Sequence, residues 1–247
     1  MRYRCHDERV GLIAELTALA EDGSRPRLGP IIAALGQPVR VRVTGRPGVG
    51  CRSVSAVLRD QGLDCVPEGA VADVVALVIA ETVKPEDRRA HLGTDRPRLI
   101  VLNKADALAD PAARAAAITA QTGVRTVPMC ALAGGKPTPI LDAMAELSAP
   151  LRYRRLRTAL TRLHALAATD PALAELLAAD TTVLTTAAAA DEVVRAAGLR
   201  PSPMAPLRSA VRWLQYSRGP VSPLHRDCGA DLARGQLRLV AGGDTPP

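Results

Sequence analysis

Residues 43–58, "VTGRPGVGCRSVSAVL", decide how the rest of the chain is read. They continue "PVRVR", so a β-branched run with period-two alternation leads straight into a turn built on Gly45, Gly48 and Gly50. The segment beyond, "SVSAVLRDQG", has helical spacing and closes at Gly62, which predicts strand, tight turn and helix in succession. Successive backbone N–H groups ahead of a helix N-terminus form a concavity suited to an anion, without help from any side chain. The glycines match the phosphate-loop pattern GxxxxGK[ST] at Gly45 and Gly50. Two positions break the pattern. Cys51 stands in the place of the lysine and Arg52 in the place of the metal-binding hydroxyl, with Ser53 next along the same turn.

Outward from that turn, strands alternate with helices. "LDCV" is a short strand, and "DVVALVIAE" (73–81) is the continuous apolar run expected of a strand covered on both faces. "RLIVLN" (98–103) is a second buried strand, and "VRTVPM" a fifth strand in all. The intervening helices are "KPEDRRAHLG", "DPAARAAAITAQTG" with Asp110 as cap and Pro111 at its first position, and "TPILDAMAELS". This alternation implies βαβ units and a parallel sheet. Ahead of it, "ERVGLIAELTALAE" and "PIIAALG" read as a helical lead. After Pro150 no strand is convincing: "LRYRRLRTALTRLHALAA", "DPALAELLAAD", "AAAADEVVRAAG", "MAPLRSAVRWLQYS" and "DCGADLARGQLRLV" all read as helices, and "AGGDTPP" as a frayed tail. The expected organisation is a helical lead over 1–36, an α/β domain over 37–148 and an all-helical domain over 149–247.

Two further motifs follow the glycine turn. The strand "LIVLN" runs into Asn103, Lys104, Ala105 and Asp106, an NKxD element, and Lys104 is one of only three lysines in the chain. The next strand ends in "VPMCALAGG", where Cys130, Ala131 and Leu132 match a "SAL" element with cysteine in place of serine. Each lies at the C-terminal end of an expected strand, where an open α/β sheet places its ligand. In this order the three elements resemble the translation-factor/Ras-type GTPases, and "GRPGVGCRS" is similar to that family's "GRPNVGKSS" form. The helical lead and tail resemble, in architecture alone, bacterial dynamin-like GTPases. The resemblance implies that Asp106 would accept from the N–H edge of guanine and that the Lys104 stem would lie over the base. A backbone N–H of the Cys130–Ala131–Leu132 loop would read the guanine carbonyl.

The departures from that family are as specific as the likeness. Only 58 residues separate Gly45 from Asn103, well short of the family's interval. There is no room for the first switch loop and its edge strand. "VPEG" (66–69) stands where the family has DxxG, with Val66 for the aspartate, and the second switch helix is missing. Without the antiparallel edge strand, the resemblance implies five parallel strands in order 2-1-3-4-5. Phosphoryl transfer needs a lysine on the β- and γ-phosphates, a hydroxyl and an acid on Mg²⁺, and a positioned water. Uncharged Cys51 supplies none of these and Arg52 would repel the metal. The glycine loop keeps its backbone, so weak GDP or GTP binding without well-bound magnesium is the most the site should allow, with Arg52 or Arg46 lending charge. Equally, Gly45, Gly48 and Gly50 can serve only to shape the turn, with Asn103 and Asp106 tying loops together and capping a turn.

Composition bounds the rest. Hydrophobic residues make up 47% of the chain yet Phe is absent, so the core must be built from Ala, Val, Leu and Ile. The alanine- and arginine-rich make-up suggests a GC-rich bacterial genome, which weakens the net charge of +7 as a sign of nucleic acid. Five scattered cysteines without a CxxC pair suit a reducing cytosol. The charged opening "MRYRCHDERVGLIAEL" has no signal-peptide core, and a cytoplasmic location is expected. Cys51 beside Arg52 at a helix N-terminus is a candidate thiolate, but no base lies near it in sequence. His6, His91, His164 and His225 show no metal-ligand spacing. "RYRRLRTALTR" (152–162) places arginines on one side of a helix, for solvent, an acidic partner or anionic lipid at the inner membrane surface. Trp213 and Tyr216, three apart, read as core.

The expected function is that of a pseudo-GTPase: a degenerate G domain with a helical bundle, acting as a binding or regulatory module with no catalytic residue and no metal. The implied partner is an intact GTPase in a hetero-oligomer, since related G domains pair across their nucleotide faces. The alternatives are a GTP-binding hydrolase, dynamin-like or Era-like, with a rebuilt phosphate site, and an adaptor on anionic membranes through 152–162.

Overall fold

The computed structural model describes residues 4–21, 23–87, 96–132, 137–199 and 204–243. In chain order its elements are α1 (Arg4–Ala20), α2 (Leu28–Gly36), β1 (Arg40–Thr44), α3 (Cys51–Asp60), β2 (Asp64–Val66), β3 (Val74–Ile79) and β4 (Arg98–Leu102). A 3-10 turn (Ala105–Ala107) follows, then α4 (Pro111–Thr122), β5 (Thr126–Pro128), α5 (Thr138–Ala167), α6 (Pro171–Ala178), α7 (Asp180–Ala196), α8 (Pro206–Arg218) and α9 (Pro223–Gly243). The expected helix over "KPEDRRAHLG" is helical at 85–87, and its remainder lies outside the described residues. The chain divides into two compact units, one of residues 38–148 and one of residues 1–37 with 149–247.

In the first unit the five strands form one all-parallel sheet in the order β2-β1-β3-β4-β5, the order expected from the sequence. The apolar runs of β3 and β4 are explained by cover on both faces. Ala76, Val78, Leu99 and Val101 pack with Val54 and Leu58 of α3 and with Ile140 and Met144 of α5. The alternate residues Leu77, Ile79, Ile100 and Leu102 pack with Ala115 and Ile118 of α4. Each of these large side chains, fully withdrawn from water, contributes about 1.5–3 kcal/mol of burial. The start of α4 is fixed as its sequence predicts: Asp110 Oδ1 accepts from the Ala113 N–H at 2.9 Å, with Pro111 at the first position.

The second unit is helical. Leu12 and Leu16 of α1, Leu28, Ile31 and Leu35 of α2, Leu156, Leu160 and Leu163 of α5 and Leu173 and Leu177 of α6 form one apolar cluster. Tyr153, Val193, Val194, Trp213, Cys228 and Leu232 form another. Within it the Tyr153 hydroxyl donates to Asp231 Oδ2 at 2.5 Å, and Asp231 also accepts from Arg157 at 3.4 Å and from Arg234. Burial and the Asp231 carboxylate push the Tyr153 phenol far above its ordinary range, so it stays a donor. Burial likewise pushes the Cys228 thiol up to about 12. Trp213 is core, with the Tyr216 ring edge-on at 5.5 Å. Among the described residues no single helix is long and apolar enough to cross a membrane.

One boundary differs from expectation. The sequence separates "TPILDAMAELS" from "LRYRRLRTALTRLHALAA" at Pro150, whereas α5 runs unbroken through that proline. An interior proline removes one helical hydrogen bond and costs about 3 kcal/mol. Apolar contacts on either side outweigh it: Ile140, Ala143 and Met144 pack before it, and Tyr153, Leu156 and Leu163 after it.

The helical unit also closes a long loop of sequence by charge. Arg25 Nε donates to Asp170 Oδ2 at 2.5 Å, while Asp170 Oδ1 caps α6 by accepting from the Leu173 N–H at 3.2 Å. The Arg25 hydrogen bond, then the Leu173 N–H, hold the Asp170 carboxyl below its ordinary value of 3.8. A carboxyl depressed in the folded state contributes fully above that ordinary value, and the contribution is lost as the pH falls through the lower folded one. Asp170→Asn should therefore lower the urea midpoint at neutral pH, and the difference from the parent should be smaller at a pH below 3.8. Urea titrations at the two pH values measure it, and a constant difference would refute the linkage.

Candidate functional site

The glycine loop, the NKAD turn and the CAL loop follow β1, β4 and β5, all at the C-terminal edge of the parallel sheet. In this strand order the connections reverse between β1 and β3, and the crevice at such a reversal is where open α/β sheets bind ligands. The three motifs do converge there, through one side chain. Asn103 is 3% exposed. Its Nδ2–H donates to the Val49 carbonyl at 2.9 Å, and its Oδ1 accepts from the Ala131 N–H at 3.2 Å. Its own backbone N–H donates to the Ile79 carbonyl at 2.8 Å. The residue expected to tie loops together does so.

The glycines answer to the same packing. A Cβ at Gly45 would lie 2.4 Å from the Val78 carbonyl oxygen, so the loop can rest on β3 only if this side chain is missing. At Gly50 φ is 95°, and a Cβ would lie 2.3 Å from Asn103 Nδ2. Neither requirement involves an anion. Gly48 also has a positive φ, 84°, at an open position of the same turn.

At the glycine-loop end Cys51 is uncharged and Arg46 is already engaged, which leaves Arg52 as the uncommitted positive charge among the described residues. Cys51 opens α3, half-buried, and burial pushes its thiol above the ordinary value, with the Glu68 carboxylate adding to the shift. The thiolate considered from the sequence is thereby disfavoured at neutral pH. Glu68 belongs to "VPEG", so the segment standing where the family has DxxG brings a negative charge toward this end of the site. Arg46, expected to lend positive charge, is engaged elsewhere. Its Nε donates to both oxygens of Asp87 at 3.0 and 3.1 Å, and Asp87, its side chain fully buried, also accepts from the Lys84 N–H at 2.9 Å. This pair spans the connections after β1 and β3, at the reversal itself. Arg52 is exposed and Ser53 half-buried on α3, and neither has a hydrogen-bond partner among the described residues. Nothing in "KPEDRR" marks Asp87 as buried, and its role is visible only once the two connections are brought together.

The NKAD and CAL loops are different. Lys104 has φ 58° and ψ 37°, the only positive φ outside glycine among the described residues, and its side chain is exposed. A left-handed conformation at a residue with a Cβ costs of order 1–3 kcal/mol. Asp106 is exposed in the 3-10 turn and makes no hydrogen bond to the described residues. The capping role expected for it is not realised: the turn is closed by backbone bonds from Ala107 to Lys104 at 3.0 Å and from Leu108 to Ala105 at 3.2 Å. Cys130 and Ala131 are half-buried and Leu132 is 85% exposed. Of the histidines, His225 Nδ1 lies 3.1 Å from the Tyr216 hydroxyl, and no cluster of metal-ligating side chains occurs among the described residues.

No protein-family model matches the chain, and no curated protein matches it. Only the sheet order and the contacts above bear on what the site does.

Asn103→Ala should leave the Val49 carbonyl and the Ala131 N–H unpaired and destabilise by about 2–4 kcal/mol, lowering Tm by roughly 4–16 °C. Asp106→Ala should stay within about 0.5 kcal/mol of the parent. Thermal melts of both variants check this, and equal effects would contradict the division of labour. Asp87→Ala should cost about 2–4 kcal/mol by stranding Arg46 and the Lys84 N–H, and adding Arg46→Ala should recover part of that loss. A double-mutant cycle in urea measures the recovery.

Proposed function

We propose that the chain is a pseudo-GTPase: a scaffold of G-domain type that has given up the reaction and serves as a binding or regulatory module for a partner protein, an intact GTPase. The observation that carries this reading is the Arg46–Asp87 pair, since the arginine nearest the glycine loop is neutralised by a buried carboxylate at the strand-order reversal. Phosphoryl transfer is catalysed by positioning and by positive charge on the phosphates. Here the lysine position holds a neutral thiol, the metal-binding position holds Arg52, and the nearby carboxylate is Glu68. Each missing charge-assisted hydrogen bond costs about 1.5–3 kcal/mol, roughly tenfold to a hundredfold in affinity. A loop whose glycines are fixed by internal contacts needs no nucleotide to hold its shape. Such a scaffold suits a partner surface that does not cycle, and the choice of a GTPase as partner rests on the pairing habit of related G domains.

A second reading, a GTP-binding protein with a rebuilt phosphate site, is favoured by one observation: Lys104 and Asp106, the base-reading residues, are exposed, and Asp106 has no partner among the described residues. Isothermal titration with GTP, GDP and guanosine, with and without Mg²⁺, separates the two. The pseudo-GTPase reading expects no magnesium-dependent GTP binding tighter than about 100 μM, with any residual affinity alike for GDP and guanosine. Low-micromolar GTP binding that Asp106→Ala abolishes would sink it in favour of the second.

A further inference from the structure

We infer that the helical unit carries a groove for an acidic, amphipathic helical segment of a partner protein, between α2 and the second half of α5. This goes beyond the proposed function and does not depend on it, because no residue of the glycine loop takes part. A cavity of about 290 Å³ is lined by buried Ile31 of α2 and Ala159 of α5, with exposed Ala34 of α2 at its rim. Arg154, Arg155 and Arg162 line it as well, with the Thr158 hydroxyl among them.

The arginines of residues 152–162 divide by what they meet. Arg152 pairs with Glu192 at 2.9 Å and Arg157 with Asp231 at 3.4 Å, so both are neutralised by carboxylates of α7 and α9. Arg154 and Arg162 meet no carboxylate among the described residues, α2 contains no charged residue, and α5 has no acidic residue after Glu146. Arg155 donates to the Gln37 carbonyl at 3.0 Å. Through Arg154 and Arg162 the groove is therefore cationic, with no acidic residue among its described lining, and charge complementarity calls for an acidic occupant.

Three classes of anion would meet that charge, and the geometry selects among them. Arg154, Thr158 and Arg162 stand four residues apart on one face of α5, roughly 12 Å from first to last at about 1.5 Å per residue. Arg154 turns back to donate to the Pro150 carbonyl at 3.2 Å, away from Arg162. A phosphate needs donors that converge on one point, and these are strung along a line. A bilayer needs a protruding apolar face that sinks into it, whereas Ile31 and Ala159 are recessed at 5% and 4% exposure. Carboxylates at every fourth position of a helix match this row, with those eight residues apart facing Arg154 and Arg162 and the one between facing Thr158, and apolar residues between them can reach the recessed floor.

The probe is a fluorescently labelled synthetic helix with Glu at every fourth position and Leu between on the same face, titrated into the full chain by anisotropy. Micromolar binding is expected, weakened about threefold by Arg162→Gln and about tenfold by Arg154→Gln with Arg162→Gln, or by Ala34→Glu. Arg208→Gln, a charge change on the exposed face of α8, should leave the affinity unchanged, and a scrambled peptide of equal composition should bind at least tenfold more weakly. Far-UV melts confirm that each variant is folded. The inference is overturned if the peptide does not bind, if scrambling makes no difference, or if Arg208→Gln costs as much as Arg162→Gln. It is also overturned if phosphatidylglycerol vesicles bind as tightly through Arg162, which would assign the arginines to a membrane surface. Displacement of the peptide by low-millimolar pyrophosphate would assign them to a point anion.

Discussion

The carboxamide of Asn103 is the contact on which the loop end of the sheet depends. One side chain has both a donor and an acceptor, and here each is spent on the backbone of a different loop, at Val49 and Ala131. An aspartate could not donate to the Val49 carbonyl, and a leucine could satisfy neither group. Because Asn103 is buried, leaving either loop atom unpaired would carry the desolvation cost of a backbone group away from water. The demand for glycine at position 50 follows from the same contact, since the amide nitrogen occupies the space a Cβ would fill. A motif that in a GTPase would be read as part of a nucleotide site is here a device for holding loops.

The second organising constraint is charge. At the strand-order reversal, where a ligand would find the backbone N–H groups of the glycine loop, an arginine and a carboxylate are matched to each other. A buried pair of this kind contributes little net stability compared with apolar packing, because desolvation offsets most of the attraction. Its effect on ligand binding is larger: Asp87 cancels the positive charge that Arg46 would offer a phosphate. The helical unit shows the opposite arrangement, with Arg152 and Arg157 of α5 neutralised by carboxylates while Arg154 and Arg162 line a groove and meet no carboxylate among the described residues.

Much of this was legible in the sequence, for physical reasons that differ by element. The continuous apolar runs of β3 and β4 read as strands covered on both faces, while the strand order was what the resemblance to a G-domain sheet without its antiparallel edge strand implied. Asp110 ahead of Pro111 announced the start of α4 and holds it. The end of the last helix of the α/β unit was misplaced at Pro150, because a proline's cost is local and visible in the sequence while the contacts that outweigh it come from residues far apart in the chain. Asp87 and Glu68 escaped notice for a related reason. Each is an unremarkable acid in a polar stretch until the fold sets it beside Arg46 or Cys51. Asn103 and Asp106 are expected together to tie loops and cap a turn; Asn103 ties the loops, but the backbone closes the turn without Asp106.

Subtracting what the fold itself demands sharpens the meaning of the three motifs. Gly45, Gly50 and Asn103 are explained by packing and backbone satisfaction, so their presence says nothing about nucleotide. Lys104 and Asp106 are not explained in that way. The lysine holds a left-handed backbone at a cost of order 1–3 kcal/mol, and among the described residues its exposed side chain gains no hydrogen bond to offset it. The aspartate offers two acceptor oxygens to solvent beside it. A fold selected only for its own stability has no use for that combination, since glycine or asparagine at position 104 would relieve the strain. The glycine loop is accounted for by structure and the NKAD turn, beyond Asn103, is not. Any function that persists at the sheet edge is therefore to be sought at Lys104 and Asp106, where a flat hydrogen-bonding edge, of a base or of a partner's backbone, would meet an uncommitted carboxylate.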